Sequence, residues 1–180
     1  MKKQNNLKGT RCYLAGPMEF ADGKQWRIEV CQKLNSLGVV CLNPYEDFFV
    51  GKIPEDGLME NVQLLRDKEL YYDLDRIASN VRKFDLAAVA KSDFIIAYIN
   101  TNTFCFGTIE EIVTAQLLNK PIFVLVEQGK SKAPFWLFGL IGSNNIYSLF
   151  DQIFEDLQDL DYNLEGMSID KWSLLLPEIR

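Results

Sequence analysis

Two stretches of this chain, SDFIIAYI over residues 92–99 and IFVLV directly after Pro121, are apolar almost without interruption over the length of a strand, and a helical pattern separates them. A strand that is apolar on both sides has to be covered on both sides. That is the situation of a parallel sheet flanked by helices, and it excludes a half-solvated antiparallel sheet. The beginning of the chain repeats the theme. RCYLAGP reads as a short strand stopped by Gly16-Pro17, and the loop MEFADG follows. Trp26, Val30, Leu34 and Leu37 then recur at helical spacing, with Gly38 at the position that ends a helix. VVCLNP is the next strand, closed by Asn43-Pro44, and the connection is long enough for a parallel crossover.

Residues 45–60, YEDFFVGKIPEDGLME, lose both periodicities and read as an irregular excursion, an expected active-site lid. A helical stretch from about Leu58 to Ala90, broken near Tyr72-Asp73, leads into the strand at 92–99. The pattern predicts a helix over 108–119, a last short strand near Asn145-Ile146-Tyr147 and a helix over roughly 148–160. Five strand signals alternating with helices predict a three-layer α/β/α fold with a five-stranded parallel, flavodoxin/Rossmann-like sheet. Its ligands are then expected in the crevice at the carboxyl ends of the strands. Asp161–Arg180 reads as an appended tail carrying the apolar cluster WSLLLP.

With 180 residues and 48% hydrophobic content, one domain spanning 1–180 is the expectation. A formal net charge of -6 without a basic stripe argues against a nucleic-acid partner. No apolar run reaches membrane-spanning length, and MKKQNNLKGTR lacks the apolar core of a signal peptide, so a soluble cytoplasmic protein is expected. Cys12, Cys31, Cys41 and Cys105 show no metal-ligand spacing and read as buried reduced thiols. No metal or cofactor is expected, since GxGxxG and the P-loop lysine motif are both missing. The chain also has no histidine. Any acid-base or nucleophilic chemistry must therefore come from carboxylates, tyrosine, lysine or thiols.

The carboxylates that invite attention stand in NTFCFGTIEE, where Glu110 and Glu111 follow a Gly-Thr pair at the start of a predicted helix. Acidic residues are ordinary in a first helical turn. Neighbouring helical residues point about 100° apart, so only one of the pair can face the crevice. Glu111, four residues before the small Ala115, suits the face against the sheet, and Glu110 suits solvent or a subunit contact. Asp85 reads either as a solvated helix acid paired with Arg82 or as part of a site, and Asp93 as a structural cap. Tyr13 is either a plain strand aromatic or a phenol that holds a carboxylate across the sheet. The loops after the first and third long strands supply binding candidates: Gly16, Pro17, Met18, Phe20 and Asp22 in one, Cys105, Gly107 and Thr108 in the other. Glycines at 16, 23 and 107 would let backbone approach a ligand.

Taken together, these pieces resemble the nucleoside 2-deoxyribosyltransferase family. The likeness rests on Tyr13-Leu14-Ala15-Gly16-Pro17, Trp26-Arg27 and Asn43-Pro44, on Arg82, Asp85-Leu86 and Ser92-Asp93, and on Gly107-Thr108, Glu111, Ala115 and Lys120-Pro121. It spans roughly residues 11–126, with a looser match through APFWLFG, and is nearest to the phage-type members. The resemblance implies that Glu111 is the nucleophile attacking C1′ of a 2′-deoxynucleoside, that Tyr13 orients and tunes it, and that Asp85 contacts and helps protonate the leaving base. A 2′-deoxynucleoside and a free nucleobase are the implied partners, with net retention through a double displacement. It also implies a homo-oligomer, a dimer or higher, in which residues near Trp136 complete a neighbour's pocket. Where many members carry an aspartate for the sugar, or a serine for a 5′-phosphate, this chain has Cys105. The acidic Glu19 and Asp22 nearby favour nucleosides over nucleotides.

Three rivals stand beside this reading. An N-glycoside hydrolase on the same scaffold would let water resolve the intermediate. The phosphoribohydrolases with GGxGTxxE share the GT..E core, but Phe104-Cys105 replaces their paired glycines. A silent nucleotide-binding module would keep the crevice without the chemistry.

Overall fold

The computed structural model of the chain describes residues 5–17, 23–45, 58–103 and 105–162, with backbone alone for 58–60. Its strands are β1 (Arg11–Ala15), β2 (Val40–Leu42), β3 (Phe94–Ile99), β4 (Ile122–Val126) and β5 (Ile146–Tyr147). Its helices are α1 (Gln25–Ser36), α2 (Leu58–Asp67), α3 (Tyr71–Lys91), α4 (Phe106–Leu117), α5 (Phe135–Ile141) and α6 (Phe150–Tyr162). The strands form one five-stranded sheet in the order β2-β1-β3-β4-β5, with every pairing parallel. This is the flavodoxin order. The chain turns to opposite sides after β1 and β3, which opens a crevice at their carboxyl ends.

Alternation along the strands sorts the core into two layers. Cys12, Leu14, Phe94, Ile96, Phe123 and Leu125 pack under α1 and α6, against Val30, Leu34, Ile153 and Leu157. Tyr13, Ala15, Ile95, Ala97, Val124 and Val126 face the other way, against Ala88 and Val89 of α3, Ile112 and Ala115 of α4, and Leu137 of α5. Each such aliphatic side chain, once buried, contributes about 1.5–3 kcal/mol, so the two sandwiched faces account for the unbroken apolarity of the strands. On the first layer Trp26 stacks on Tyr98 at 5.4 Å and on Phe150 at 5.6 Å.

Three helices end in the same way. Gly38, Glu69 and Asn119 take positive φ values of 75°, 55° and 54°. In each case the following amide reaches back to close the last turn: Val39 to Leu34, Leu70 to Leu65 and Lys120 to Ala115. The stop at Glu69 separates α2 from α3 a few residues ahead of the break expected at Tyr72-Asp73, because a Glu in the left-handed region carries no sequence signal. Asp93 is a cap, as the pattern suggested, and its carboxylate accepts the Arg11 amide at 2.7 Å. Asp161, read as the start of a tail, belongs to α6. It is buried and accepts the Leu7 amide at 2.9 Å. WSLLLP and the excursion at 46–57 lie outside the described residues. Among the described residues no helix is long and apolar enough to cross a membrane.

The expectation of four reduced thiols is overturned. Cys31 and Cys41 are joined in a disulfide, with Cα atoms 5.5 Å apart, while Cys12 and Cys105 are free. Ten residues of separation look unremarkable in a sequence. The tight turn at Gly38, however, folds β2 back along α1 and brings the two side chains within bonding range. A cross-link closing so short a loop contributes about 2–3 kcal/mol in the chain-entropy account. Thiol titration of the denatured protein should therefore count two reactive cysteines without reductant and four with it. Four in both conditions would show that the bond does not form.

Candidate active site

The middle of β1 carries Tyr13, whose side chain points into the layer beneath α3 and α4 and is only 2% exposed. Its hydroxyl donates to Glu111 Oε1 at 2.7 Å. Glu111 itself is 7% exposed, on the same inward face of α4 as Ala115. The helix begins at Phe106, two residues before the expected start, with Cys105 as its non-helical cap. Both glutamates therefore fall in the second turn. The first turn holds no acidic residue, so compensation of the macrodipole does not explain them.

Glu110 points the other way and meets Arg82 of α3 in a fork, with Arg82 Nε at 2.9 and 2.8 Å from its two oxygens and Nη2 also bonded. Arg82 was expected beside Asp85. It pairs with Glu110 instead, because α3 and α4 lie side by side and the outer face of one looks onto the outer face of the other. As an exposed ion pair it adds little stability, but it joins the helix that carries Asp85 to the helix that carries Glu111.

Asp85 is half-buried, within hydrogen-bonding reach of the Tyr13 hydroxyl. Burial raises its pKa to about 6, against the lowering effects of the Tyr13 bond and the Arg27 charge. Burial, then the nearby charges of Glu111 and Asp85, push the Tyr13 phenol well above its ordinary range, so it stays a neutral donor. Tyr13 has one proton and two carboxyl neighbours. The phenol gives that proton to Glu111 Oε1 in the 2.7 Å bond, and its pull on Asp85 favours the ionised carboxylate there, against burial. Burial thus leaves Asp85 titrating near pH 6, in the range that a group exchanging protons needs.

The glycines before this site have an internal reason. A Cβ on Gly16 would stand 2.8 Å from the Trp26 ring, and one on Gly23 would stand 2.8 Å from the Pro17 carbonyl. Their own protein excludes a side chain there; Gly107 meets no such obstacle. Gly16 and Pro17 leave the carboxyl end of β1, while Met18, Phe20 and Asp22 lie outside the described residues. Cys105 sits at the cap of α4, its thiol 3.4 Å from the Thr103 hydroxyl, and Thr108 is buried in the first turn. Trp136, 55% exposed on α5, lines an apolar groove of about 370 Å³ with Phe135, Gly139 and Leu140. The residue whose part sequence reasoning missed is Arg27. It stands in the apolar stripe of α1 with Val30, Cys31 and Leu34 and is fully buried, and a charge in that stripe was the available signal. Among the described residues no cluster of three or more His, Cys, Asp or Glu side chains could hold a metal ion.

The fold and this placement of residues define a flavodoxin-ordered α/β protein in which a phenol on β1 holds a buried glutamate, with a half-buried aspartate beside it. No protein-family model matches the sequence, and no curated protein matches it. Solved structures do match. The 2-deoxyribosyltransferase of Bacillus psychrosaccharolyticus is 16% identical, over 83% of this chain and 91% of that one, with a TM-score of 0.56. The 2-deoxyribosyltransferase of Leishmania mexicana is 17% identical, over 83% and 97%, with a TM-score of 0.53. A CMP N-glycosidase of Clostridium botulinum aligns at 22% identity, over 84% and 99%, with a TM-score of 0.48. At these identities the likeness is one of fold.

Carboxyl-selective carbon-13 NMR should find Asp85 titrating near pH 6. In Tyr13→Phe the midpoint should move higher, because the bond that favours the ionised form is gone. The sign also reaches stability: the contribution of Asp85 is fully present below its unfolded pKa of about 3.9 and is lost as pH rises through about 6. An unmoved midpoint in the Phe variant would separate Asp85 from Tyr13.

Proposed function

We propose that this protein breaks the N-glycosidic bond of a 2′-deoxynucleoside and passes the deoxyribosyl group to another nucleobase. The observation that carries the reading is the Tyr13–Glu111 hydrogen bond with Asp85 beside it, a buried carboxylate held by a neutral donor next to a carboxyl kept near protonation. In the first half-reaction a Glu111 oxygen bonds to C1′ as the bond from C1′ to the base nitrogen breaks. Asp85 supplies the proton that the departing base takes up. In the second, an incoming base gives its proton to Asp85 and attacks C1′, releasing Glu111 as the carboxylate. Two inversions give net retention. Tyr13 holds one oxygen of Glu111 throughout, fixing its orientation and spreading its charge.

The absence of histidine supports this reading, since the cycle needs only carboxyls and a phenol. So does the fold shared with two 2-deoxyribosyltransferases. On this reading a second copy of the chain completes the pocket, and Phe135 and Trp136, 93% and 55% exposed, belong to that contact.

The test is a panel of 2′-deoxynucleosides incubated with and without a different free base, with products separated by liquid chromatography. A new deoxynucleoside that appears only with the second base is expected, and Glu111→Gln should lower the rate by about a thousandfold or more with the fold intact. Release of free base at the same rate without acceptor would make the protein a hydrolase. Unchanged turnover in a folded Gln variant would remove Glu111 from the mechanism. In the active protein the rate should fall as pH rises above about 6 and Asp85 loses its proton, and Asp85→Asn should abolish that limb.

A further inference from the structure

We propose that Arg27 is the positioning residue of this site: its guanidinium gathers the loops after β1 and β2 and sets a buried positive charge behind Tyr13 and Asp85. The inference rests on the reading of Tyr13, Asp85 and Glu111 given above.

The geometry is specific. Arg27 is 0% exposed. Its Nη2 donates to the Gly16 carbonyl at 2.8 Å, its Nη1 to Gly23 at 2.5 Å and to Pro17 at 3.4 Å, and its Nε to Leu14 at 3.4 Å. Leu14, Gly16 and Pro17 lead into the loop after β1, and Gly23 leads out of it, so one side chain ties both ends together. The face of the cation lies 4.5 Å from the Trp26 ring centre and 5.2 Å from that of Tyr45. Tyr45 belongs to the loop after β2, where Asn43 Oδ1 accepts its amide at 3.1 Å. A planar fork of five N–H donors can span these carbonyls while its faces stack on two rings, and a lysine ammonium cannot.

Stability alone does not account for such a residue. Burying a guanidinium is costly, and well-packed apolar replacements for buried ions are often as stable or more so. What a neutral side chain would not supply is the charge. The groups around Asp85 come from each neighbouring element: Tyr13 from β1, Glu111 from α4 through Tyr13, Arg27 from α1, and Arg82 on α3 itself, turned outward to Glu110. Of these, Arg27 is the buried cation. Its charge favours the ionised forms of both Tyr13 and Asp85 and opposes their desolvation. Together with the Tyr13 bond it lowers Asp85 against its burial, toward pH 6, where the group can both give and recover a proton.

The test compares Arg27→Lys, which keeps the charge and loses the fork, with Arg27→Met, which loses both. Arg27→Gln stands in if the Met variant does not fold. Two readouts are taken: the Asp85 midpoint by carboxyl carbon-13 NMR, assigned with Asp85→Asn, and kcat and KM for 2′-deoxynucleoside cleavage across pH. In the Lys variant the midpoint should stay in place while KM rises by about fivefold or more, the effect of loosened loops. In the Met or Gln variant KM should rise likewise, and the midpoint and the alkaline limb of kcat should both move up by about half a pH unit or more. A midpoint unmoved in the folded neutral variant would overturn the proposal and leave Arg27 a structural residue only. If the midpoint moves as expected but no variant, nor the parent, turns over a deoxynucleoside, the role of Arg27 stands and the glycosyl-transfer reading of the site fails.

Discussion

The hydrogen bond from Tyr13 to Glu111, 2.7 Å long and shut between β1 and α4, is the contact on which the rest of the site depends. A carboxylate as buried as Glu111 is costly to ionise unless polar partners meet it. That requirement fixes how α4 sits on the sheet: Glu111, Ile112 and Ala115 must turn inward together, and Glu110 must turn out. It fixes β1 as well. A slip of one residue in the register Tyr13↔Ile95 would carry the phenol to the other face of the sheet and leave Glu111 without it.

On the proposed reading, the two carboxyls divide the work around that contact. Tyr13 carries a single proton and faces two acids, so its bond to Glu111 and its pull on Asp85 draw on the same hydrogen. Burial raises Asp85 to about 6, and the neutral phenol donates to Glu111. The Arg82–Glu110 fork on the outside joins the two carrier helices, and the Arg27 guanidinium on the inside gathers the loops that border the crevice. Each of these links crosses from one element to another, so the sheet order is a condition of the chemistry as much as a frame for it.

Much of the fold could be read in the order of residues. FIIAYI and IFVLV are apolar on both sides because helices cover both sides, and the alternation of such strands with amphipathic helices left few architectures open. The inward turn of Glu111 followed from its spacing to Ala115, and the possible reach of Tyr13 to a carboxylate followed from neighbouring strands. Other features were not legible. The start of α4 at Phe106 depends on the backbone conformation of Cys105, which no motif announces. Gly16 and Gly23 looked like room for a ligand, yet Trp26 and Pro17 occupy that room. Arg82 looked local to Asp85, and the packing of two helices gave it Glu110.

The sequence by itself determined the strand and helix alternation, the two-sided burial of the sheet and, with no histidine, the short list of side chains available for acid-base work. These are properties of composition and periodicity, which act within a few residues of the chain. Only the tertiary structure decided that Tyr13 meets Glu111 across 98 positions, that Cys31 bonds Cys41, and that Arg27 turns into the protein to hold four backbone carbonyls. These depend on distances between elements, and such distances exist only once the sheet order has brought those elements together.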